Sequence, residues 1–404
     1  MYKKILAALD GSPLSDFSLE AALAIAIRSD EAHLIGCHVY TSRLHRARFN
    51  EMEPGLPDKY QEEERLTSLR ETHEDLISEG MQLISDAYLA PFIKRAKESN
   101  LSFSGVTAEG HHYVQLLKEI RDQQVDLTIL GAYGHGFSPE ESIGSLTERL
   151  LLYNNTGDIL VIRQPWGFKN RPILVGIDGS QNSYQALIRA VELGKLFETS
   201  VEAVAAYDPF FHSAVFKTIS ESLPSEAAAR FNFSAQEKLH DEIIDHGLET
   251  LYRDGLRRAA LIADEMKYPI KTEVLTGKVY SQIHHYAVLR NAGLVVMGRY
   301  GLHQERESKI GSNTAKLSRL TPFNLLVVNP PTNEIKLPEI PGLEETIQLT
   351  WDPEAERIVQ RIPSFVRKMA LKSIEARAKE QGLDHVTTEL VMQVSGKMGR
   401  NKMK

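Results

Sequence analysis

The chain repeats itself at one fixed distance. Gly131-x-x-Gly134-(x9)-Gly144-Ser145 returns as Gly298-x-x-Gly301-(x9)-Gly311-Ser312, and the differences 298 − 131, 301 − 134 and 311 − 144 are all 167. Self-similarity at a constant offset marks a duplicated unit and limits the fold before any local motif does. Gly110 and Gly277, Tyr113 and Tyr280, Gln115 and Gln282, and Tyr40 and Tyr207 keep the same offset. Only the first strand slips by one, with Ile5-Leu-Ala-Ala-Leu-Asp10-Gly-Ser12 matching Ile173-Leu-Val-Gly-Ile-Asp178-Gly-Ser180. The expected division is one domain over 1–165, a second over 170–330, a proline-containing linker over 331–347 and a small module over 348–395.

Within the first repeat, Ile5–Leu9, Leu34–Tyr40, Leu101–Ala108, Leu127–Leu130 and Ile159–Ile162 read as strands. Between them lie periodic segments: Ser15–Arg28, with Leu19, Ala22, Leu23 and Ile27 on one face; Val114–Arg121, with Leu116, Leu117 and Ile120; and Ser145–Leu152, with Leu146, Leu150 and Leu151. The second repeat offers strands at Ile173–Ile177, Val201–Tyr207, Ile270–Leu275, Leu294–Met297 and Leu325–Val328. Strands alternating with helices predict an α/β fold with two tandem, doubly wound, parallel five-stranded sheets. The repeats should pack on each other as a pseudo-dimer, as duplicated domains do when they replace a symmetric homodimer. The longest connections, 41–75 and 208–235, fit extended helices, solvated loops, lids or interface arms.

The chain has 404 residues, of which 42% are hydrophobic and 25% charged, enough apolar material for ordinary globular cores. Its net charge of −7 disfavours nucleic acid as a partner, because phosphate neutralisation needs a basic face. Residues 351–404 carry 11 Lys plus Arg against 7 Asp plus Glu, a balance of +4 that leaves −11 for the rest. No apolar run approaches the length of a membrane span, and Met1-Tyr-Lys-Lys lacks the pattern of a secretory leader, so a cytoplasmic location and no membrane partner are expected. The single cysteine, Cys37, excludes an internal disulfide and a cysteine-ligated metal cluster, and its apolar surroundings predict a buried structural thiol.

Gly131 and Gly134 follow a buried strand, and Gly144-Ser145 opens the next helix. Such an arrangement suits an anion, because glycine lets backbone approach closely and the N–H groups at a helix start are unpaired. Asp10 and Asp178 end the first strands, at the carboxyl edge where open α/β sheets bind ligands. The doubled pattern resembles the nucleotide-binding branch of the universal stress protein family, whose signature is G-x2-G-x9-G-[ST], and the likeness covers about four fifths of the chain. The resemblance implies a Rossmann-like fold of the adenine nucleotide alpha hydrolase type, binding ATP, ADP or AMP, with or without Mg²⁺, and acting in a stress response through nucleotide-dependent conformation or partner binding. Asp10 and Asp178 would hold ribose or the adenine side, and the backbone at Val39 and Ala206 would meet adenine. Gly131, Gly134, Gly144 and Ser145 would hold phosphates in one repeat, and Gly298, Gly301, Gly311 and Ser312 in the other. The chain departs from the family pattern between and after the first two glycines, where it has Ala132-Tyr133 and His135 in one repeat and Arg299-Tyr300 and Leu302 in the other. Fewer cations there weaken any preference for a triphosphate.

No P-loop Lys-[Ser/Thr] pair, nucleophile elbow or H-E-x-x-H motif accompanies the glycines, so the expectation is no catalytic residue, no protein metal site and at most slow ATP hydrolysis. His111-His112 and His284-His285 sit at different places relative to Gly110 and Gly277 and read as surface or capping residues. A slow ATPase or nucleotide transferase, or a nucleotide-free scaffold acting through its tail, are the competing functions. Trp351-Asp-Pro-Glu-Ala355, Ile362-Pro-Ser-Phe-Val-Arg367, Ile374-Glu-x-x-Ala378 and Gly382-x-x-x-Val386-Thr387 resemble the small C-terminal domain found in one component of light-independent protochlorophyllide reductase. A helical module is expected there: Asp352 and Pro353 start a helix, Gly382 ends a second over Ser364–Lys379, and Trp351, Phe365, Val366 and Ile374 form the core. Such a tail suits self-association or docking to a tetrapyrrole or redox assembly. The protein partner and oligomeric state, a homo-oligomer included, are open at this level.

Overall fold

Ile5, Ala7 and Leu9 pack into one core while Leu6, between them, packs into another, so the sheet they belong to is covered on both faces. The computed structural model describes residues 1–136, 142–209, 245–302, 309–340, 350–360, 370–371, 373–375, 377–378, 381, 383 and 385–393. The first repeat runs β1 (Lys4–Ala8), α1 (Pro13–Arg28), β2 (His33–Tyr40), α2 (Ser42–Met52), α3 (Glu63–Glu98), β3 (Ser102–Glu109), α4 (His112–Asp122), β4 (Leu127–Gly131), α5 (Ser145–Tyr153) and β5 (Asp158–Ile162). The second runs β6 (Ile173–Gly176), α6 (Gln181–Leu196), β7 (Val201–Tyr207), α7 (Asp245–Glu265), β8 (Lys271–Thr276), α8 (Val279–Leu289), β9 (Leu294–Gly298), α9 (Ser312–Leu320) and β10 (Asn324–Val328). Helices α1, α3, α6 and α7 supply one core and α4, α5, α8 and α9 the other, which is the doubly wound arrangement.

The sheets are joined. Strand order is β3-β2-β1-β4-β5-β10-β9-β6-β7-β8, so the two expected five-stranded parallel sheets are the halves of one ten-stranded sheet. All neighbours are parallel except β5 and β10, which pair antiparallel with Leu160 opposite Leu326, Val161 opposite Leu325 and Ile159 opposite Val327. Leu160 is third in Asp158-Ile-Leu, and Leu326 is third in Asn324-Leu-Leu, so the junction maps onto itself under a twofold rotation. The cause lies in β5, whose five residues are all buried and which would be an unpaired apolar edge in an isolated repeat. Both ends of the seam are closed by equivalent bonds. Asp158 Oδ1 accepts from the Asn329 N–H at 2.9 Å, and Asn324 Oδ1 accepts from the N–H groups of Arg163 at 2.9 Å and Gln164 at 3.2 Å.

Helix α1 corrects one expectation: Leu19, Ala22 and Leu23 are buried, but Ile27 is 53% exposed, and Ile25 and Ala26 take the inner positions. The connection after β2 is helical, and α3 is a 36-residue helix whose last turns pack Leu89, Phe92 and Ala96 inside. Of the 208–235 connection, residues 210–235, with Ser222–Ala229, lie outside the described residues. The chain divides into two compact units, 1–338 and 339–404. Residues before Pro338 are not a free linker: Gln181 on α6 exchanges two hydrogen bonds with the Ile335 backbone, at 2.8 and 3.1 Å, and Ile335 and Leu337 pack on the core.

The second unit has a parallel strand pair, Thr350–Trp351 with His385–Val386, and a helix over Pro353–Gln360. Its core is Ala355, Val359, Ile374, Ala378, Val386, Leu390 and Val391, with Trp351 packed on it. The Asp352 side chain accepts from His385 Nε2 at 2.9 Å, which lowers the carboxyl pKa. Pro341, Ile362–Arg367 and Gly382 lie outside the described residues.

Candidate functional site

In both repeats the Asp-Gly-Ser stretch has a local structural logic. Asp10 Oδ1 accepts from the Ser12 N–H at 3.0 Å and hydroxyl at 2.6 Å, and Ser12 caps α1 by accepting from the Ser15 N–H. Asp178 and Ser180 repeat those distances at α6. The intervening Gly11 and Gly179 have φ of +72° and +85°, where a Cβ is strained. The aspartates therefore reach the glycine loops in fixed orientation. A Cβ on Gly134 would strike Asp10 Oδ2, and one on Gly301 would stand 2.6 Å from Asp178 Oδ2, so close approach excludes any side chain there.

The loops are built alike. The Ala132 N–H reaches Ile162 O, the Gly144 N–H reaches Ala132 O, and Thr147 Oγ1 reaches Gly131 O, each at 2.8 Å; Arg299, Gly311 and Thr314 make the same bonds to Val328, Arg299 and Gly298. The N–H groups of Gly144 and Gly311 are therefore spent inside the loop. The donors left for an anion are the first-turn N–H groups of α5, at Ser145, Leu146 and Thr147, and their counterparts at Ser312, Asn313 and Thr314.

In the first repeat these parts enclose a cleft of about 420 Å³ whose lining includes Asp10, Val39, Gly131, Gly134, Gly144 and Ser145. Its size is in the range of small-molecule sites. The lining also contains His38 and Tyr88, which no motif marks, together with His112 and Tyr133. His112, at the start of α4, is exposed as expected of a surface histidine, and the surface it faces is the cleft wall. Desolvation at that wall, and then His38 and His111, lower its pKa, so its ring is neutral at pH 7. His38 Nδ1 lies 2.7 Å from Leu9 O, which only accepts, so Nδ1 carries the hydrogen. The Tyr88 ring stands edge-on to His38, with centroids 5.1 Å apart. Among the described residues, no lysine or arginine lines the cleft. Cys37 borders it but is buried, and burial pushes its thiol up to about 12.

In the second repeat, Asp178, Ala206, Gly298, Gly301, Gly311 and Ser312 occupy equivalent places around β6, β7, β9 and α9. Asp178 Oδ2 accepts from the Leu302 N–H at 2.9 Å. At the offset of 167, Ala205 replaces His38 and Gly255 replaces Tyr88, and the Tyr184 hydroxyl donates to Gly255 O at 3.3 Å. Arg299 is 2% exposed, and its guanidinium serves the contact between repeats. Among the described residues no group of three or more His, Cys, Asp or Glu is placed to hold a metal ion, and no helix is long and apolar enough to cross a membrane.

The profile of the Universal stress protein family matches residues 1–163 and 169–329. This chain belongs to the universal stress protein family. Universal stress protein MJ0531 of Methanocaldococcus jannaschii is 26% identical over 166 residues, which cover 41% of this chain and 85% of that one. Among solved structures, a universal stress protein from Archaeoglobus fulgidus superposes with a TM-score of 0.52 at 14% identity, covering 81% of this chain and 98% of the other. A protein of unknown function from Pseudomonas aeruginosa superposes with a TM-score of 0.51 at 13% identity, covering 81% and 93%. Both likenesses concern the fold alone. Residues 351–394 match a second profile, the proto-chlorophyllide reductase 57 kD subunit. Over 50 residues the chain is 40% identical to a component of the light-independent protochlorophyllide reductase of Cycas taitungensis, a match that spans 12% of this chain and only 10% of that protein.

Proposed function

We propose that this universal stress protein binds an adenine nucleotide, ATP or its ADP and AMP relatives, in the cleft of the first repeat, and uses the bound state to alter partner contacts during stress. The observation that carries the reading is that residues from four separate segments, Asp10, Val39, Gly131 with Gly134, and Gly144 with Ser145, line one cleft. Asp10 would take ribose hydroxyls, the backbone at Val39 the base, and the N–H groups of Ser145 to Thr147 the phosphates. With no lysine or arginine among the described lining residues, backbone dipoles supply the attraction, and Mg²⁺ would enter with the phosphates. Asp178, Ala206, Gly298, Gly301, Gly311 and Ser312 would form a second, chemically plainer site, where Ala205, Gly255 and Val279 stand in place of His38, Tyr88 and His112. The C-terminal unit, which has its own core, is the segment assigned to partner contact.

Nucleotide released from gently purified, denatured protein, identified by mass spectrometry, tests this. Valine at Gly144 is a poor probe, because a Cβ there stands 3.1 Å from Tyr133 Cα. Ser145→Glu and Ser312→Glu are better: both serines are exposed first residues of helices, where a carboxylate suits the helix dipole yet repels phosphate. Adenine nucleotide in wild type that falls in Ser145→Glu is expected. Protein that yields none and binds none from added MgATP ends the proposal.

A further inference from the structure

Two arginines from unrelated positions make the same connection. Arg163 follows β5, and its Nη2 donates to Ser142 O at 2.9 Å and to Ser318 O at 2.5 Å. Arg299 follows β9, and it donates through Nε to Lys309 O at 3.1 Å and through Nη2 to Leu151 O at 2.5 Å. The acceptors are equivalent, since 142 + 167 = 309 and 151 + 167 = 318, but the arginines are not: at the seam, where Asp158 matches Asn324, Arg163 meets Asn329, and Arg299 meets Ala132. Duplication alone does not place a guanidinium at both spots.

Each guanidinium ties the carbonyl two residues before one Gly-Ser to the last turn of the helix that the other Gly-Ser begins. Arg299 also lies between Gly298 and Gly301. The same helices are linked further by Arg319 with Glu148 at 2.6 Å and by Lys309 Nζ, 3.9 Å from the Tyr153 ring centroid. Helix α5 has nine residues, a rod of about 13 Å, so a pull on its first-turn N–H groups moves Leu151 O at its far end. We infer that Arg163 and Arg299 are positioning residues that couple the two glycine-loop sites, so that nucleotide in one repeat changes the affinity of the other. The inference rests on the nucleotide reading above.

Calorimetric titration of the full chain with MgATP decides it. The constant for filling both sites, divided by the product of the single-site constants from Ser312→Glu and Ser145→Glu, is the coupling factor. Wild type is expected to depart from unity by about fivefold or more, the lower end of common allosteric couplings. The chain carrying Arg163→Met and Arg299→Met, measured against the same blocking variants, is expected to return to unity. A wild-type factor of one, or a factor that survives loss of both arginines, overturns the coupling. Binding at a single site overturns it while leaving the nucleotide reading intact; no binding at all ends both. If the double variant does not fold, lysine variants decide. Both Arg163 bonds leave one nitrogen, which an ammonium can imitate, whereas Arg299 uses two. Arg299→Lys should lower the factor and Arg163→Lys retain it, and the opposite order refutes the assignment.

Discussion

Replacing Asp158 by alanine tests whether the seam between the repeats carries the stability of the ten-stranded sheet. Asp158 is 5% exposed and accepts from the Tyr2 hydroxyl at 2.7 Å and the Asn329 N–H at 2.9 Å, with Arg189 Nε at 3.2 Å. Tyr2 belongs to the first repeat, whereas Arg189 and Asn329 belong to the second. Alanine leaves two inner donors without an acceptor, at about 1–3 kcal/mol each. Arg189 keeps Glu192 at 2.8 Å and is partly exposed, so its share is discounted to under about 1 kcal/mol. The expected loss is about 3–5 kcal/mol, in line with removal of one partner from a buried ion pair. Burial pushes the Asp158 carboxyl up, against the opposing pull of Arg189 and Tyr2. The folded state therefore keeps its proton to higher pH than the unfolded chain, and the charge weighs against folding as pH rises from about 4 through the folded value. Asp158→Asn keeps an acceptor for Asn329 and removes that penalty, as Asn324 does at the other end of the seam, so it should cost clearly less than alanine. Urea unfolding of the three chains at pH 7 gives the numbers. A loss below about 1 kcal/mol for Asp158→Ala, or equal losses for both variants, refutes the account.

Gly134→Ala should destabilise by about 1–3 kcal/mol and abolish nucleotide retention in the first site, since its Cβ must displace Asp10; unfolding and release assays on the same sample check both. His112, with its pKa lowered, takes a proton less readily folded than unfolded, so stability should fall as pH drops through about 6.5. The melting temperature of wild type should therefore drop below that of His112→Gln between pH 7.5 and 5.5, and parallel curves count against the assignment. Cys37, buried and pushed up to about 12, should resist thiol reagents at pH 8 until urea unfolds the chain, and prompt native labelling contradicts its placement.

The strands were legible because each central one is a short apolar run closed by glycine or a polar residue, and the observed ends fall within one or two residues of the expected ones. The constant offset adds a packing meaning. Gly110 and Gln115 repeat as Gly277 and Gln282 because each glutamine side chain lies over its glycine, with Nε2 2.7 Å from where a Cβ would be. The single sheet was less visible, although its signal was present: a fully buried β5 with four apolar residues in a row at the rim of a repeat requires a partner, and the polar residues that seal the seam, Asp158 and Asn324, hold equivalent places. Helix α3 was hidden because charges surround its first half, leaving no clear apolar stripe to read. The cleft shows the same limit more sharply. Motif spacing located the backbone frame, which both repeats share, but not His38, Tyr88 and His112, which distinguish the first site from the second. Arg163 and Arg299 lie beyond the reach of the offset altogether. Their equivalence is between the carbonyls they touch, Ser142 with Lys309 and Leu151 with Ser318, and only the folded chain brings those atoms together. Duplication made the two frames alike, and the side chains added from non-equivalent positions make the repeats unequal and connect them.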